Sequence, residues 1–99
     1  MVKKQFVKTR NVAKVTFEVG AEVAADEVQL IADFTAWQPI AFGHLKSGRW
    51  KLVQELEPGH SYEFRYRIVK DGSVDYRNDE SPDGYVRNDM GGENAVLNV

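Results

Sequence analysis

The segment YEFRYRI at residues 62–68 carries the clearest secondary-structure pattern in this chain. Apolar and charged side chains alternate there, and a period of two residues is typical of a β-strand with one buried face. The apolar side chains are Tyr62, Phe64, Tyr66 and Ile68, and the charged ones are Glu63, Arg65 and Arg67. The segment therefore predicts a strand whose apolar side faces a core.

The same alternation recurs along the chain, whereas no window of about ten residues has apolar side chains at helical spacing. The further apolar sets are Val15, Phe17 and Val19; Val28, Leu30 and Ala32; Trp50, Leu52 and Leu56; and Ala95, Leu97 and Val99. Turn signals separate these segments, namely Ser47-Gly48, Pro58-Gly59 and the hairpin signal Asp71-Gly72. This order predicts an all-β fold, an antiparallel sandwich of about seven strands.

Length and charge limit what such a chain can be. Its 99 residues, 42% of them hydrophobic and 28% charged, predict one small globular domain at residues 12–99, preceded by a basic N-terminal arm at residues 1–11. A net charge of -2 argues against nucleic acid as the partner. The N-terminal residues lack the apolar run of a signal peptide, and the chain has no cysteine, so we expect a cytoplasmic protein that does not enter a membrane.

The sequence lacks the usual signatures of catalysis and of metal binding. There is no glycine-rich phosphate loop and no cysteine nucleophile, and the two histidines, His44 and His60, are too isolated for a zinc site. Asp79 and Glu80 lie in a long segment without periodicity, at residues 78–94, and adjacent acids in such a loop are expected to be solvated turn residues. We therefore expect a protein that is not an enzyme and that uses no metal or cofactor.

Two aromatic residues fall outside the strand pattern. Trp37 follows a strand and precedes Pro39, where a loop is expected, and Tyr76 follows the Asp71-Gly72 hairpin. Trp37 could cover an edge of the sandwich, and Tyr76 could be an ordinary cross-strand partner. Alternatively, both rings are platforms on which the flat C–H face of a sugar stacks, while neighbouring polar side chains bind its hydroxyl groups.

Five motifs in one order make the chain resemble carbohydrate-binding module family 48. They are VQLIADFTAW at residues 28–37, EPG at 57–59, YEFRY at 62–66, DG at 71–72 and GGENAV at 91–96. The family includes the early-set domain at the N-terminus of isoamylases and glycogen branching enzymes, and the glycogen-binding domain of the AMP-activated protein kinase beta subunit. The resemblance covers residues 12–99 and implies an immunoglobulin-like early-set sandwich.

The resemblance also implies a set of sugar-binding residues. These are Trp37 and Tyr76 as stacking platforms, Arg65 and Asn94 as hydrogen-bonding partners, and Met90 as the residue that wedges beside the sugar. The chain departs from the family pattern at Thr35, where an Asn is usual, at Tyr76, where a Trp is usual, and at Asp89-Met90, where Pro-Phe is common. From the residues alone, Arg65 could equally form a cross-strand ion pair, and Asn94 could cap its own turn.

Two functions follow as hypotheses. The first is a non-catalytic module that binds α-1,4-linked glucan of the glycogen or starch type. The second is an early-set interaction domain without sugar affinity that docks on a glucan-metabolising enzyme. For the first, two aromatic faces would remove about 200 Å² of apolar surface from water, worth roughly 5 kcal/mol before ordering costs. We therefore expect a Kd on the order of high micromolar to millimolar, improved when one long glucan meets several modules.

Overall fold

Ten β-strands form two antiparallel sheets in a computed structural model of the chain, which describes residues 1–89 and 91–99. The strands are β1 (Val2–Val7), β2 (Val12–Val19), β3 (Glu27–Ala32), β4 (Ile40–Ala41), β5 (Gly43–His44), β6 (Trp50–Leu56), β7 (Ser61–Lys70), β8 (Ser73–Arg77), β9 (Gly84–Arg87) and β10 (Glu93–Asn98). The first sheet has the order β1-β2-β6-β5, and the second has the order β4-β3-β7-β10-β9, with β8 also paired to β7. This architecture confirms the predicted all-β, immunoglobulin-like antiparallel sandwich.

The core lies between the two sheets and is built from the alternating side chains that the sequence predicts. Strands β2, β3 and β7 each bury every second residue along most of their length. Phe17 of β2 and Phe64 of β7 are fully buried, and their rings meet edge to face with centroids 5.3 Å apart. Each fully buried side chain of this kind contributes about 1.5–3 kcal/mol by leaving water, so this contact between the sheets is a major source of stability.

Strand β7 organises the second sheet. Strand β3 pairs with residues 64–69 along one edge of β7, while the other edge is shared by β10, at residues 61–64, and β8, at residues 66–70. Asp71 and Gly72 close the hairpin between β7 and β8 with φ angles of 50° and 77°, as a two-residue type I′ turn requires. The outward side chains of β3, β7, β8 and β10 therefore share one surface.

The structure has more strands than the sequence predicts. Residues 2–7, within the predicted N-terminal arm, form β1, which pairs with β2 along the edge of the first sheet. Residues 84–87, within the predicted long loop, form β9, which pairs with β10. Both are edge strands with mostly exposed side chains, so neither has the buried alternation that marks a strand in a sequence. Two-residue strands β4 and β5 raise the count further.

An ion pair links the edges of the two sheets. Lys4 of β1 donates to the Asp83 carboxylate, which also accepts the backbone N–H of Asn98 at 2.7 Å. Burial alone would raise the pKa of Asp83, but the hydrogen bonds from Lys4 and Asn98 and the charge of Lys4 outweigh it and lower this pKa. Because the folded pKa is depressed, the contribution of Asp83 to stability is present at neutral pH and is lost as the pH falls through that folded value.

Replacing Lys4 by glutamine is expected to raise the pKa of Asp83 toward its ordinary value, because the cation is removed while the Asn98 hydrogen bond stays. Carboxyl-carbon NMR titration measures the shift directly. We expect a stability loss of only about 0.2–1 kcal/mol at neutral pH, since the pair is partly exposed. Lys3→Gln is the matched control: Lys3 pairs loosely with Glu18 at 3.8 Å and should leave Asp83 unchanged. An unchanged Asp83 titration in Lys4→Gln would contradict the assignment.

Candidate functional site

The outer surface of the second sheet brings Arg65 and Tyr76 together. Phe64 and Tyr66 point into the core, so Arg65 points to the opposite side of β7. Tyr76 lies on β8, directly opposite Arg67 and on the same outer surface. The guanidinium carbon of Arg65 lies 5.3 Å from the centroid of the Tyr76 ring, which is cation–π range, and 47% of Tyr76 is exposed. The Arg65 guanidinium lies over one face of the ring, and Tyr76 remains accessible to solvent.

Arg65 keeps hydrogen-bonding capacity at this surface. Its Nε is buried and has no hydrogen-bond partner among residues 1–89 and 91–99, and within the same residues no carboxylate comes within ion-pair distance. The cross-strand ion pair that the sequence also allowed is thus not formed in the described part of the chain. Arg65 instead packs between the Tyr76 ring and the backbone of Gly92. Gly92 has no side chain, and a Cβ added at this position would lie 4.0 Å from the Nη1 of Arg65.

Asn94 lies under this surface and binds its neighbours. It belongs to β10, one position from the residue paired with Phe64, and only 7% of it is exposed. Its Nδ2 donates to Glu63 Oε1 at 3.2 Å, and its Oδ1 accepts from Asn88 Nδ2 at 3.1 Å. Asn94 therefore anchors β10 to β7 and to the preceding loop.

The loop before β10 is closed by paired hydrogen bonds. The Asn88 backbone N–H donates to the Gly92 carbonyl at 2.9 Å, and Asn88 Oδ1 accepts from the Gly92 N–H at 3.0 Å. This closure places the loop against Arg65. Met90, which the resemblance assigns to the sugar site, lies outside the described residues, so its predicted role has no structural placement.

Trp37 lies in the loop after β3, where the backbone is strained. A single 3₁₀ turn at Asp33–Thr35 follows β3, and Ala36 and Trp37 then adopt left-handed φ angles of 54° and 61°. Such a conformation costs roughly 1–2 kcal/mol per non-glycine residue. The Trp37 N–H donates to the Ala32 carbonyl at 2.8 Å, and 42% of the residue is exposed. Strain that persists under an exposed aromatic ring is a recognised mark of a functional position.

Thr35 explains how the turn closes without the usual asparagine. Its Oγ1 accepts from the Ala32 N–H at 3.2 Å and donates to the Ala32 carbonyl at 2.9 Å. These two bonds close the turn on the end of β3. The departure from the family pattern therefore falls on a residue that shapes the loop before Trp37.

Trp37 and Tyr76 are neighbours on the sheet but not in contact. Ala32 pairs with Phe64, whereas Tyr76 pairs with Arg67, so the two positions are separated by two strand spacings and three residues. That offset corresponds to roughly 14 Å between the backbone at Ala32 and at Tyr76. Among the described residues, the Trp37 ring meets no other aromatic ring. The structure thus brings Arg65, Tyr76 and Asn94 together and holds Trp37 apart.

Two clefts lie elsewhere on the molecule. A cleft of about 210 Å³ runs between β1 and β10, and one of about 610 Å³ lies beside the segment between β8 and β9. Neither of these clefts is lined by Arg65, Tyr76, Asn94 or Trp37. The candidate surface is therefore an open sheet face, whose shape suits a chain that lies across it.

The environment of Asp79 differs from the one that the sequence predicts. The expectation of a solvated turn residue is wrong, because only 3% of Asp79 is exposed, while Glu80 beside it is exposed. Asp79 Oδ1 accepts from the Tyr66 hydroxyl at 2.8 Å and from the Met1 nitrogen at 2.6 Å, and Oδ2 accepts from the Ser81 N–H at 3.1 Å. Burial, together with the charge and hydrogen bond of Asp79, raises the pKa of Tyr66, so this hydroxyl remains a donor.

A local signal pointed to part of this arrangement. Asp79 followed two residues later by a serine fits an Asx turn, in which the carboxylate accepts the Ser81 N–H. Tyr66, the other partner, comes from another strand, and no local sequence pattern predicts its hydrogen bond to Asp79.

No protein-family model matches the chain, and no curated protein matches its sequence. The resemblance to carbohydrate-binding module family 48 therefore remains a prediction from the five motifs.

The described residues contain neither a metal-ligand cluster nor a membrane-spanning helix. Residues 1–89 and 91–99 contain no group of three or more histidine, cysteine or acidic side chains placed to hold a metal ion. In the same part of the chain, no helix has the length and apolar character needed to cross a bilayer.

Proposed function

We propose that this chain is a non-catalytic binding module for α-1,4-linked glucan of the glycogen or starch type. The observation that carries the proposal is the Arg65–Tyr76 pair on the open face of the second sheet. A sugar can stack on the exposed face of the Tyr76 ring, and the Arg65 guanidinium on the other face can donate to hydroxyl groups that extend past the ring edge.

Trp37 supplies a second platform in this proposal. The end of β3 that precedes Trp37 lies roughly 14 Å from Tyr76 along the sheet, which is too long for one sugar ring and suits an oligosaccharide that spans both aromatics. Asn94 is buried and already hydrogen-bonded, so its proposed part is to hold the loop against Arg65. The module should therefore favour glucan chains over free glucose.

Replacing Tyr76 by alanine is expected to weaken maltoheptaose binding by about tenfold, because the stacking face is lost and Arg65 is released. NMR chemical-shift titration of the native protein and the variant measures both affinities. In the native protein, the shifts should concentrate on amides of β7, β8 and the loop at residues 88–92.

Tyr85→Ala is the matched control for Tyr76→Ala. Tyr85 is also an exposed tyrosine, at 52%, but it lies on β9 opposite Ala95, whose side chain faces the core. Its removal should leave the affinity for maltoheptaose unchanged. If both tyrosine variants lose affinity equally, or neither does, Tyr76 is not the platform.

The alternative function gives the opposite result in the same titration. An early-set interaction domain that docks on a glucan-metabolising enzyme without binding sugar would show no saturable shifts with maltoheptaose at about 10 mM, well above the expected Kd. That silence in the native protein would overturn the proposal.

A further inference from the structure

In the described part of the chain, three exposed arginines are paired with acids, whereas the more buried ones are not. Arg10, Arg49 and Arg77 are exposed, yet each has a carboxylate oxygen within ion-pair distance, at 2.6, 2.7 and 3.7 Å respectively. Arg65 and Arg67 are more buried, and neither has such a carboxylate among the described residues. The cations that water solvates least are thus those that lack an acid. Partial burial of an uncompensated charge is unfavourable, so an arrangement of this kind points to an anion supplied from outside.

The contacts of Arg67 are with neutral groups. Its Nη1 donates to the side-chain oxygen of Gln29 on β3, and its neighbour across the hairpin is Tyr76. The nearest acid along the same side of β7 is Glu63, which accepts a hydrogen bond from Asn94. Arg87 also lacks a carboxylate among the described residues, but it is exposed on the edge strand β9 and is solvated by water.

The two arginines are placed to act on one ligand. Residues two apart on a strand lie roughly 6.6 Å apart on the same side, and the Tyr76 ring contacts Arg65 and lies opposite Arg67. Because the Arg67 guanidinium reaches Gln29 on β3, a substituent must extend from the sugar on Tyr76 across β7 to contact both guanidinium groups. Guanidinium groups bind phosphate through paired, charge-assisted hydrogen bonds, which are stronger than those to neutral hydroxyls.

We infer that this surface prefers a glucan that carries a phosphate ester, and that Arg67 is the residue that distinguishes it from unmodified glucan. The inference rests on the proposed glucan-binding function and adds to it a ligand class and a specificity residue. Glu27 and Glu63 lie on the same face, but neither comes within ion-pair distance of Arg65 or Arg67, so a phosphate monoester would supply the anionic acceptor that these two guanidinium groups lack.

The test compares maltoheptaose with maltoheptaose that carries one phosphate on O6, by NMR or calorimetric titration at low and high salt. We expect the phosphorylated sugar to bind about tenfold more tightly at low salt, with the advantage reduced at high salt because part of the interaction is screened. Arg67→Gln should remove that advantage, with a much smaller effect on the affinity for unmodified maltoheptaose. Gln29→Glu, which gives Arg67 an internal carboxylate, should have the same effect, whereas Arg87→Gln should not.

Each outcome of this experiment is informative. Equal affinity for the two sugars in the native protein would overturn the inference and leave the glucan-binding proposal standing. If neither sugar binds, the proposed function itself fails. Inorganic phosphate or a glutamate-rich peptide that binds as tightly as the phosphorylated sugar would also overturn the inference, because the face would then recognise negative charge without sugar.

Discussion

Replacing Asp79 by alanine is expected to lower the free energy of unfolding by about 3 kcal/mol, a large effect for a side chain outside the apolar core. The substitution removes three hydrogen bonds and leaves the buried Tyr66 hydroxyl without its acceptor. Hydrogen bonds to charged groups contribute about 1.5–3 kcal/mol each, and a buried donor left unpaired costs about 1–3 kcal/mol. Urea unfolding followed by fluorescence measures the change.

Two controls separate this network from general effects of the loop. Glu80→Ala removes the adjacent but exposed acid and should change stability by less than about 0.5 kcal/mol. Tyr66→Phe removes one donor and leaves the carboxylate its other partners, so we expect about 1–2 kcal/mol. Asp79→Ala as mild as Glu80→Ala would show that Asp79 is solvated in solution, contrary to the structure.

The strands that the sequence predicts are those whose environment differs between their two sides. Strands β2, β3 and β7 alternate because one side of each meets the core, and burial selects apolar residues there. Strand β1 has no such contrast, because an edge strand exposes most of its side chains, and Lys3, Lys4 and Gln5 follow one another without penalty. Edge strands are therefore defined by their backbone pairing with a neighbour, which side-chain periodicity does not record.

Part of the candidate site follows from hairpin geometry. A two-residue turn at Asp71-Gly72 pairs Lys70 with Ser73 and, by counting outward, Arg67 with Tyr76. The position of Tyr76 beside the arginines of β7 can thus be derived from the turn. The burial of Asn94 cannot, because its partner Glu63 lies 31 residues away and only the folded sheet brings them together.

The Trp37 loop shows a different limit. The sequence places Trp37 after a strand, yet it contains no glycine at positions 36 and 37 to announce two left-handed residues. The conformation is stabilised by the Thr35 side chain and by the Trp37 N–H, which both bond to Ala32. Local propensity would predict a less strained turn, so the contacts of the folded loop decide the presentation of the ring.

Replacing Trp37 by alanine is expected to reduce the affinity for maltoheptaose by about tenfold or more, which corresponds to at least about 1.4 kcal/mol of binding free energy. The ring is the larger of the two proposed platforms, and a Kd near millimolar leaves little affinity without it. NMR titration is the suitable measurement, because the variant loses the tryptophan that would report the binding by fluorescence. Phe6→Ala is the matched control, since Phe6 is 54% exposed but lies on β1 of the other sheet.

Combining Trp37→Ala with Tyr76→Ala distinguishes one ligand that spans both rings from two independent contacts with short sugars. Trp37 follows β3 and Tyr76 lies on β8, two strands apart, so their effects on stability should be additive. For maltoheptaose, the two binding losses should also add, because one chain contacts both rings. Maltotriose is too short to benefit fully from both platforms. In a protein that already lacks one ring, removal of the other should therefore reduce the affinity for maltotriose by less than the first removal did. If the double variant loses the same amount of affinity for the two sugars, the rings do not act on one glucan chain. The aromatic surface would then bind a smaller ligand at Tyr76 alone.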